Sequence, residues 1–344
     1  MGIKDIALRL QLSPSTVSRA LNGMYGVSAA TKARVLEAAR ALGYVPNLGA
    51  KQLVGKGSGL AGLFAPILEE FEHSGFLDFY NRMQQELRRY GKDTILFTLP
   101  YVGYTRGKLA EYAGSRGLEG CILLHPFGEG HPLVEEALSI RLPCVNFESV
   151  TGESCASVVS DDAEGGRMAG RYLLERGHRS FAYVDGPPSR VCRERLAGFR
   201  EALKAGGIDP AGIWILQGDF SGESGANAAE RIAERAGSAR PTAVFCANDR
   251  MAAGAVMRFA ELGLLVPRDF SVIGYDGDAY GAYLNPPLTT VRHARLSICS
   301  MAATRLVEMI EGGSGTLDRV RPELVERKSV ANRFYSHPQS EDAR

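Results

Sequence analysis

From Leu60 onward, short apolar runs alternate with amphipathic stretches of helical period, and the alternation is completed twice. In the first round, residues 60–64, 94–98, 120–124 and 144–147 read as strands, with helices at 76–90, 109–114 and 133–139 between them. In the second, helices at 165–176, 193–205, 222–235 and 249–262 accompany strands at 180–184, 214–217, 243–246 and 271–275. Strands joined through a helix run parallel, and a parallel sheet needs both faces covered. Two rounds therefore predict two doubly wound α/β subdomains with a cleft between them. Ligands of such sheets sit outside the carboxyl ends of the strands. The residues just after each strand are thus the ones to watch.

The first 59 residues have another texture. Ile3, Ile6, Ala7 and Leu10 share one helical face, and Gln11-Leu12 follows as a tight turn. Ser13 is a good N-cap, and Pro14 loses no hydrogen bond at the first helical position. That second helix runs to about Leu21 and stops at Asn22-Gly23. Ser28 caps a third helix, with Val35, Ala38, Ala39 and Leu42 apolar and Gly43 as its stop. Three short helices, the first two joined tightly, make a helix-turn-helix unit. Tyr44-Val45-Pro46-Asn47 breaks the pattern, a short segment runs from Asn47 to Val54, and Gly55-Lys56-Gly57-Ser58-Gly59 reads as a flexible linker.

Charge separates the two parts. Residues 1–56 carry eight Lys or Arg against two acids, a surplus of six. The chain's net charge of +1 leaves the other 288 residues at −5. A basic head on an acidic body suits a polyanion bound by the head alone, although a solvated basic helix pair has the same composition. The six cysteines are dispersed without a Cys-x-x-Cys pair, which argues against a metal site or disulfide framework and fits a reducing compartment. No apolar run reaches membrane-span length, and the first residues show no signal-peptide core, so we expect a cytoplasmic protein without a membrane partner. There is no dinucleotide fingerprint, phosphate loop or nucleophile elbow, and the six histidines lack metal-ligand spacing. We expect no enzyme, cofactor or metal.

Particular motifs carry a family resemblance. The head contains Ile3-Lys4-Asp5-Ile6-Ala7, Ser13-Pro14-Ser15-Thr16-Val17-Ser18-Arg19-Ala20-Leu21-Asn22-Gly23, Val27-Ser28-Ala29-Ala30-Thr31, Leu42-Gly43-Tyr44-Val45-Pro46-Asn47 and Ala50-Lys51-Gln52-Leu53. The body contains Gly186-Pro187-Pro188, Arg195-Leu196-Ala197-Gly198-Phe199, Gly218-Asp219-Phe220, Ala247-Asn248-Asp249, Ser271-Val272-Ile273-Gly274-Tyr275-Asp276 and Pro286-Pro287-Leu288-Thr289-Thr290-Val291. The chain resembles the LacI/GalR family of bacterial transcription regulators over nearly its whole length, least at residues 66–160 and after 325. The resemblance implies a helix-turn-helix head on a periplasmic-binding-protein-like α/β body. It divides the chain into a DNA-binding domain (1–46), a hinge helix and linker (47–59), an effector-binding and dimerisation domain (60–335) and a tail (336–344). Within the body it implies an N-subdomain at about 60–159 and 289–318, and a C-subdomain at about 160–288 and 319–335.

The resemblance also implies roles. Pro14, Ser15 and Arg19 fall at base-reading positions of the recognition helix. The Arg19 fork can grip guanine bidentately or contact a phosphate instead. Pro14 offers apolar contact only, and Ser15 discriminates weakly. Ser13, Thr16, Ser18, Asn22, Ser28 and Thr31 fall where phosphates are bound, or serve as caps and turns. Asn47, Ala50 and Leu53 belong to a hinge helix that enters the minor groove, with Leu53 as the apolar wedge. Gly49 in that hinge costs about 1 kcal/mol of helix propensity.

In the body, Arg195 is the family's effector-grasping arginine, suited to paired hydroxyls or a carboxylate. Asp276 and Asn248 follow strands and either hydrogen-bond the ligand or brace loops and cap helices. Phe220 matches a ring that stacks on the ligand, Glu148 an acidic contact from the first subdomain, and Phe76 either an aromatic contact or core. Asp162 joins from the crossover. Cys192 lines the pocket or is a structural thiol. This set favours a neutral sugar, with a purine, another metabolite or a sugar phosphate as alternatives. The acidic run Glu69-Glu70-Phe71-Glu72-His73 argues against an anion. We expect a ligand-responsive repressor of carbohydrate-utilisation genes that binds palindromic operator DNA as a homodimer. The tail's want of a leucine heptad predicts a dimer over a tetramer. A sugar-binding transport receptor would suit the body but needs export and leaves the basic head unexplained.

Overall fold

The structure, a computed structural model, describes residues 2–21, 24–44, 57–67, 76–124, 127–128, 130–235, 237 and 240–335. Asn22, Gly23, the hinge residues Asn47, Gly49, Ala50 and Leu53, the acidic run 69–73 and the tail 336–344 lie outside the described residues.

The head consists of α1 (Ile3–Leu10), α2 (Pro14–Leu21) and α3 (Ala29–Ala41). The Ser13 hydroxyl accepts from Thr16 N at 3.0 Å, and the Ser28 hydroxyl from Thr31 N at 3.2 Å. Each satisfies a backbone donor that the first helical turn leaves open. Gln11 closes α1 in the left-handed region, and Gly43 follows α3 there. Ile6, Ala7, Val17, Ala20, Val35, Ala38 and Ala39 form a small separate core, flanked by Ile3, Leu10 and Leu42.

The body continues as β1 (Leu60–Pro66), α4 (Phe76–Arg89), β2 (Asp93–Leu99), α5 (Lys108–Arg116), β3 (Gly120–Leu123), α6 (Pro132–Ser139), β4 (Cys144–Asn146) and β5 (Cys155–Ser160). Then come α7 (Asp162–Glu175), β6 (Phe181–Asp185), α8 (Arg190–Ala205), β7 (Trp214–Gln217), α9 (Gly222–Ala233), β8 (Ala243–Cys246), α10 (Asp249–Glu261) and β9 (Ser271–Asp276). The last elements are β10 (Thr289–Arg292), α11 (Arg295–Ile310), β11 (Leu317–Val320) and β12 (Glu323–Val325). They build two six-stranded sheets, ordered β11-β5-β4-β3-β1-β2 and β12-β10-β9-β8-β6-β7. All pairings are parallel except β10 with β12.

The two doubly wound sheets are those read from the alternation, and each is covered by its own apolar clusters. Strand β5 was not anticipated. Its sequence, Cys-Ala-Ser-Val-Val-Ser, mixes small and polar residues, yet every one is buried. The elements after Tyr275 were not anticipated either. Strand pairing also shifts the two later crossings between the sheets. Thr289–Arg292 pairs with β9 in the second sheet, and Leu317–Val320 pairs with β5 in the first. The chain therefore crosses near 293 and 321, not at 289 and 319.

Candidate functional site

On the head, α2 buries Val17 and Ala20 and leaves Pro14, Ser15 and Arg19 exposed. The residues expected to read bases thus share the outward face. The Ser13 hydroxyl lies 2.7 Å from that of Ser15 and 2.8 Å from that of Thr16, so these three hydroxyls also serve one another. Ser18 and Thr31 are half-buried, and Ser28 is exposed while capping α3.

In the body, the expected effector residues gather mainly at the second sheet. The pairing of α7 with α8 explains how. A methyl group on Gly166 would stand 2.0 Å from Arg195 O, and one on Gly198 would stand 1.8 Å from Ala163 O. Only glycine permits this approach, and it brings the first residue of α7, Asp162, against Arg195 in α8. Arg195 Nε donates to Asp162 Oδ1 at 2.9 Å and Nη1 donates to Ala247 O at 2.6 Å. Nη1 also lies 3.4 Å from Asp276 Oδ1, and the guanidinium sits 3.7 Å above the Tyr275 ring. Burial alone would lower the Arg195 pKa, but Asp162 and Asp276 hold it raised. Burial likewise opposes ionisation of Asp162, but Arg195, His293 and Arg190 outweigh it and keep its pKa lowered.

Arg195 was expected to grasp the effector with its fork. Its side chain is 5% exposed and already answered by protein acceptors. The accessible chemistry belongs to its neighbours: the Asp276 side chain is 28% exposed and that of His293 is 20% exposed. His293 Nε2 lies 3.3 Å from both Arg195 Nη2 and Asp276 Oδ1. Sequence reasoning missed His293, although it follows β10 immediately. The strand-end rule would have found it had β10 been recognised.

Asn248 is 6% exposed and engaged at both ends. Its oxygen accepts from Met251 N at 2.9 Å, capping α10, and its amide donates to Phe220 O at 3.0 Å. Both bonds are those of a helix cap and a loop brace. Phe220 lies over Gly186, where a Cβ would come within 2.3 Å of the ring. Phe220 (φ 69°) and Asp276 (φ 105°) are two of the three non-glycine residues at positive φ among the described residues. Such conformations cost about 1–3 kcal/mol each and tend to gather where function imposes them. Cys192 is 2% exposed, a structural thiol.

Below Asp276 lies Asp249, wholly buried at the start of α10. It accepts from the Thr290 hydroxyl at 2.6 Å and from Asp278 N at 2.7 Å. Burial, then the charge of Asp276, pushes its pKa up to about 8. Glu148 and Phe76 stand on the first sheet's side. Glu148 follows β4, with its backbone N bonded to the Asn146 side chain at 2.8 Å. Phe76 opens α4 and packs partly buried beside Tyr80. Among the described residues, no group of three or more His, Cys, Asp or Glu is placed to hold a metal, and no helix is long and apolar enough to cross a membrane.

Comparison with known proteins bears on both parts. The family of bacterial regulatory proteins, lacI family, matches residues 2–47, and the periplasmic binding protein-like domain matches residues 171–330. An HTH-type transcriptional repressor PurR from Pectobacterium atrosepticum is 34% identical over 346 residues, covering 96% of this chain and 97% of the relative. The chain belongs to the lacI family. Members of the lacI family are regulators, not enzymes. Among solved structures, a lac repressor dimer bound to operator and the anti-inducer ONPF superposes with TM-score 0.79 at 28% identity, covering 96% of this chain and 99% of that one. The transcriptional regulator CelR in complex with cellobiose superposes with TM-score 0.68 at 28% identity and the same coverage. The head and body of this lacI-family chain thus have counterparts over nearly its whole length.

Proposed function

We propose that this lacI-family repressor responds to a neutral, polyhydroxylated molecule, a sugar, held beside Asp276 and His293. Its general activity follows from its family: ligand-responsive DNA binding that regulates transcription. One observation carries the effector class. Arg195, the principal cation of the site, already faces two carboxylates, Asp162 and Asp276. Among the described residues, no uncompensated positive charge remains there for a phosphate or carboxylate. The half-exposed Asp276 carboxylate instead accepts hydroxyl protons, and His293 supplies a second polar atom. The cellobiose bound by CelR is a ligand of this kind.

In this reading residues 1–46 read DNA through Pro14, Ser15 and Arg19, and a hinge including Asn47, Ala50 and Leu53 enters the minor groove. The body, 60–335, binds effector through Asp276, Phe220, Glu148 and Phe76, while Asp162, Arg195 and Asn248 support the site. The protein works in the cytoplasm as a homodimer on a palindromic operator, with half-sites about one helical turn apart. A second reading, a planar heterocycle such as a purine, is favoured by the half-buried Phe220 ring at the end of β7. An effector shifts DNA binding only through differential affinity for two states of the body.

The test is selection from random duplex DNA by the wild type and Arg19→Ala, repeated with sugar and purine mixtures. We expect the wild type to enrich a palindrome, and Arg19→Ala to lose about 1–3 kcal/mol of discrimination at one position in each half-site. No enrichment under any condition would sink the regulator reading. A palindrome whose recovery responds to purines alone would replace the sugar with the heterocycle.

A further inference from the structure

In the turn between α2 and α3, Tyr25 is 102% exposed and Met24 is 40% exposed. Tyr25 is the most exposed large apolar side chain in the described chain. Among the described residues nothing covers it, although the head has a core a few residues away in Val17, Ala20 and Val35. Met24, just before it, is tied to the recognition helix: its N donates to Arg19 O at 2.9 Å. Three residues beyond Tyr25, Ser28 caps α3. Tyr25 therefore stands between two electropositive elements: the exposed Arg19 of α2, and the positive end of a 13-residue helix. Lys4, Arg9, Arg19, Lys32, Arg34 and Arg40 outnumber Asp5 and Glu37 in this head, so its natural partner is a polyanion.

We propose that Tyr25 is a DNA-backbone contact, its phenol O–H donating to a phosphate while its ring lies against the adjoining deoxyribose. Phosphate contacts of this kind set register and carry no sequence information. A phenol is neutral, so it adds affinity without releasing a counterion. This inference rests on the DNA-binding reading above but on none of its base contacts.

The experiment measures the affinity of the full chain, wild type, Tyr25→Phe and Tyr25→Ala, for a random-sequence duplex and for the duplex recovered by selection, over a range of salt. Both substitutions lie in open solvent, so folding is not at stake, and Tyr25→Phe removes only the hydroxyl. We expect Tyr25→Phe to weaken binding about tenfold or more, as for one hydrogen bond to a charged acceptor. Tyr25→Ala should weaken it further. Both losses should be equal on the two duplexes and leave the salt slope unchanged, whereas Lys32→Ala should reduce that slope by about one. Equal binding by wild type and Tyr25→Ala overturns the inference. A loss confined to the selected duplex overturns it in favour of base reading. A wild type that binds neither duplex overturns the regulator reading and this inference with it.

Discussion

In the first sheet, the buried polar groups near the strand ends serve the backbone. Glu136 of α6 accepts from the Tyr104 hydroxyl at 2.8 Å, Gly107 N at 2.7 Å and Ala110 N at 3.0 Å, pinning the start of α5. Strands β3, β4 and β5 place Cys121, Cys144 and Cys155 in register as buried thiols, with the first two sulfurs 3.1 Å apart. In the second half the buried polar groups instead carry opposed charges, beside the carboxyl ends of β8 and β9: Asp162, Arg195, Asp276 and the wholly buried Asp249. Two of the residues at positive φ, Phe220 and Asp276, are there as well. The winding is nearly the same in both halves, so winding alone does not make a site. Charge, closely approaching helices and backbone strain are what distinguish the second half, where we propose the effector binds.

The sharpest break of that comparison is to remove one acid from each half. Asp162→Ala leaves the buried Arg195 without its main partner and should cost about 3–5 kcal/mol of stability by urea unfolding. Glu136→Ala strands three hydrogen-bond donors without a buried cation and should cost about 1–3 kcal/mol. Equal losses would mean that the charged cluster is no more demanding than a helix cap.

The pH dependence comes next, and two groups of the second half push it in opposite directions. His178, wholly buried between α7 and β6, is lowered to about 4 by burial and by Arg333, Arg176 and Arg179. An unfolded histidine takes up its proton near pH 6.5 while this one does not. Its contribution is therefore present above 6.5 and is lost as pH falls toward 4, by at most about 3 kcal/mol. Asp249 has the opposite sign. It keeps a proton up to about pH 8 that the unfolded chain gives up near 4, so stability is lost as pH rises between those values. Asp249→Asn imitates the protonated acid and should flatten the neutral-to-alkaline limb of a stability–pH curve. An unchanged limb would contradict the assignment.

A smaller effect sharpens the argument about helix approach. Gly198→Ala must push α8 from α7, because the new methyl meets Ala163 O. We expect a loss of about 1–3 kcal/mol in urea unfolding. Effector response should weaken more than stability suggests, since Asp162 and Arg195 separate. Wild-type response in a destabilised Gly198→Ala would detach the site from the helix pair.

The elements with strong periodicity were legible in the sequence to within a few residues, because apolar faces and caps such as Ser13 and Ser28 act locally. Strand β5 was not, since Cys155, Ser157 and Ser160 are ordinary loop residues whose burial is decided by neighbours distant in sequence. The candidate site was legible as a set of residues: Asp162, Arg195 and Asp276 do meet. Their hydrogen-bond partners were not. Whether Arg195 faces ligand or protein depends on acceptors from α7 and from the ends of β8 and β9, which no local pattern reveals. The same holds for Asn248, whose two ends are spent on Met251 and Phe220.

The most direct test is the affinity of the selected operator, measured with neutral sugars and with their phosphorylated counterparts, for the wild type and Asp276→Ala. The account predicts that at least one neutral sugar shifts wild-type operator affinity about 5- to 150-fold. Phosphorylation of that sugar should abolish the shift, and so should Asp276→Ala, with operator binding itself retained. A shift produced only by phosphorylated ligands, or one that survives Asp276→Ala, would contradict the site proposed for the second sheet.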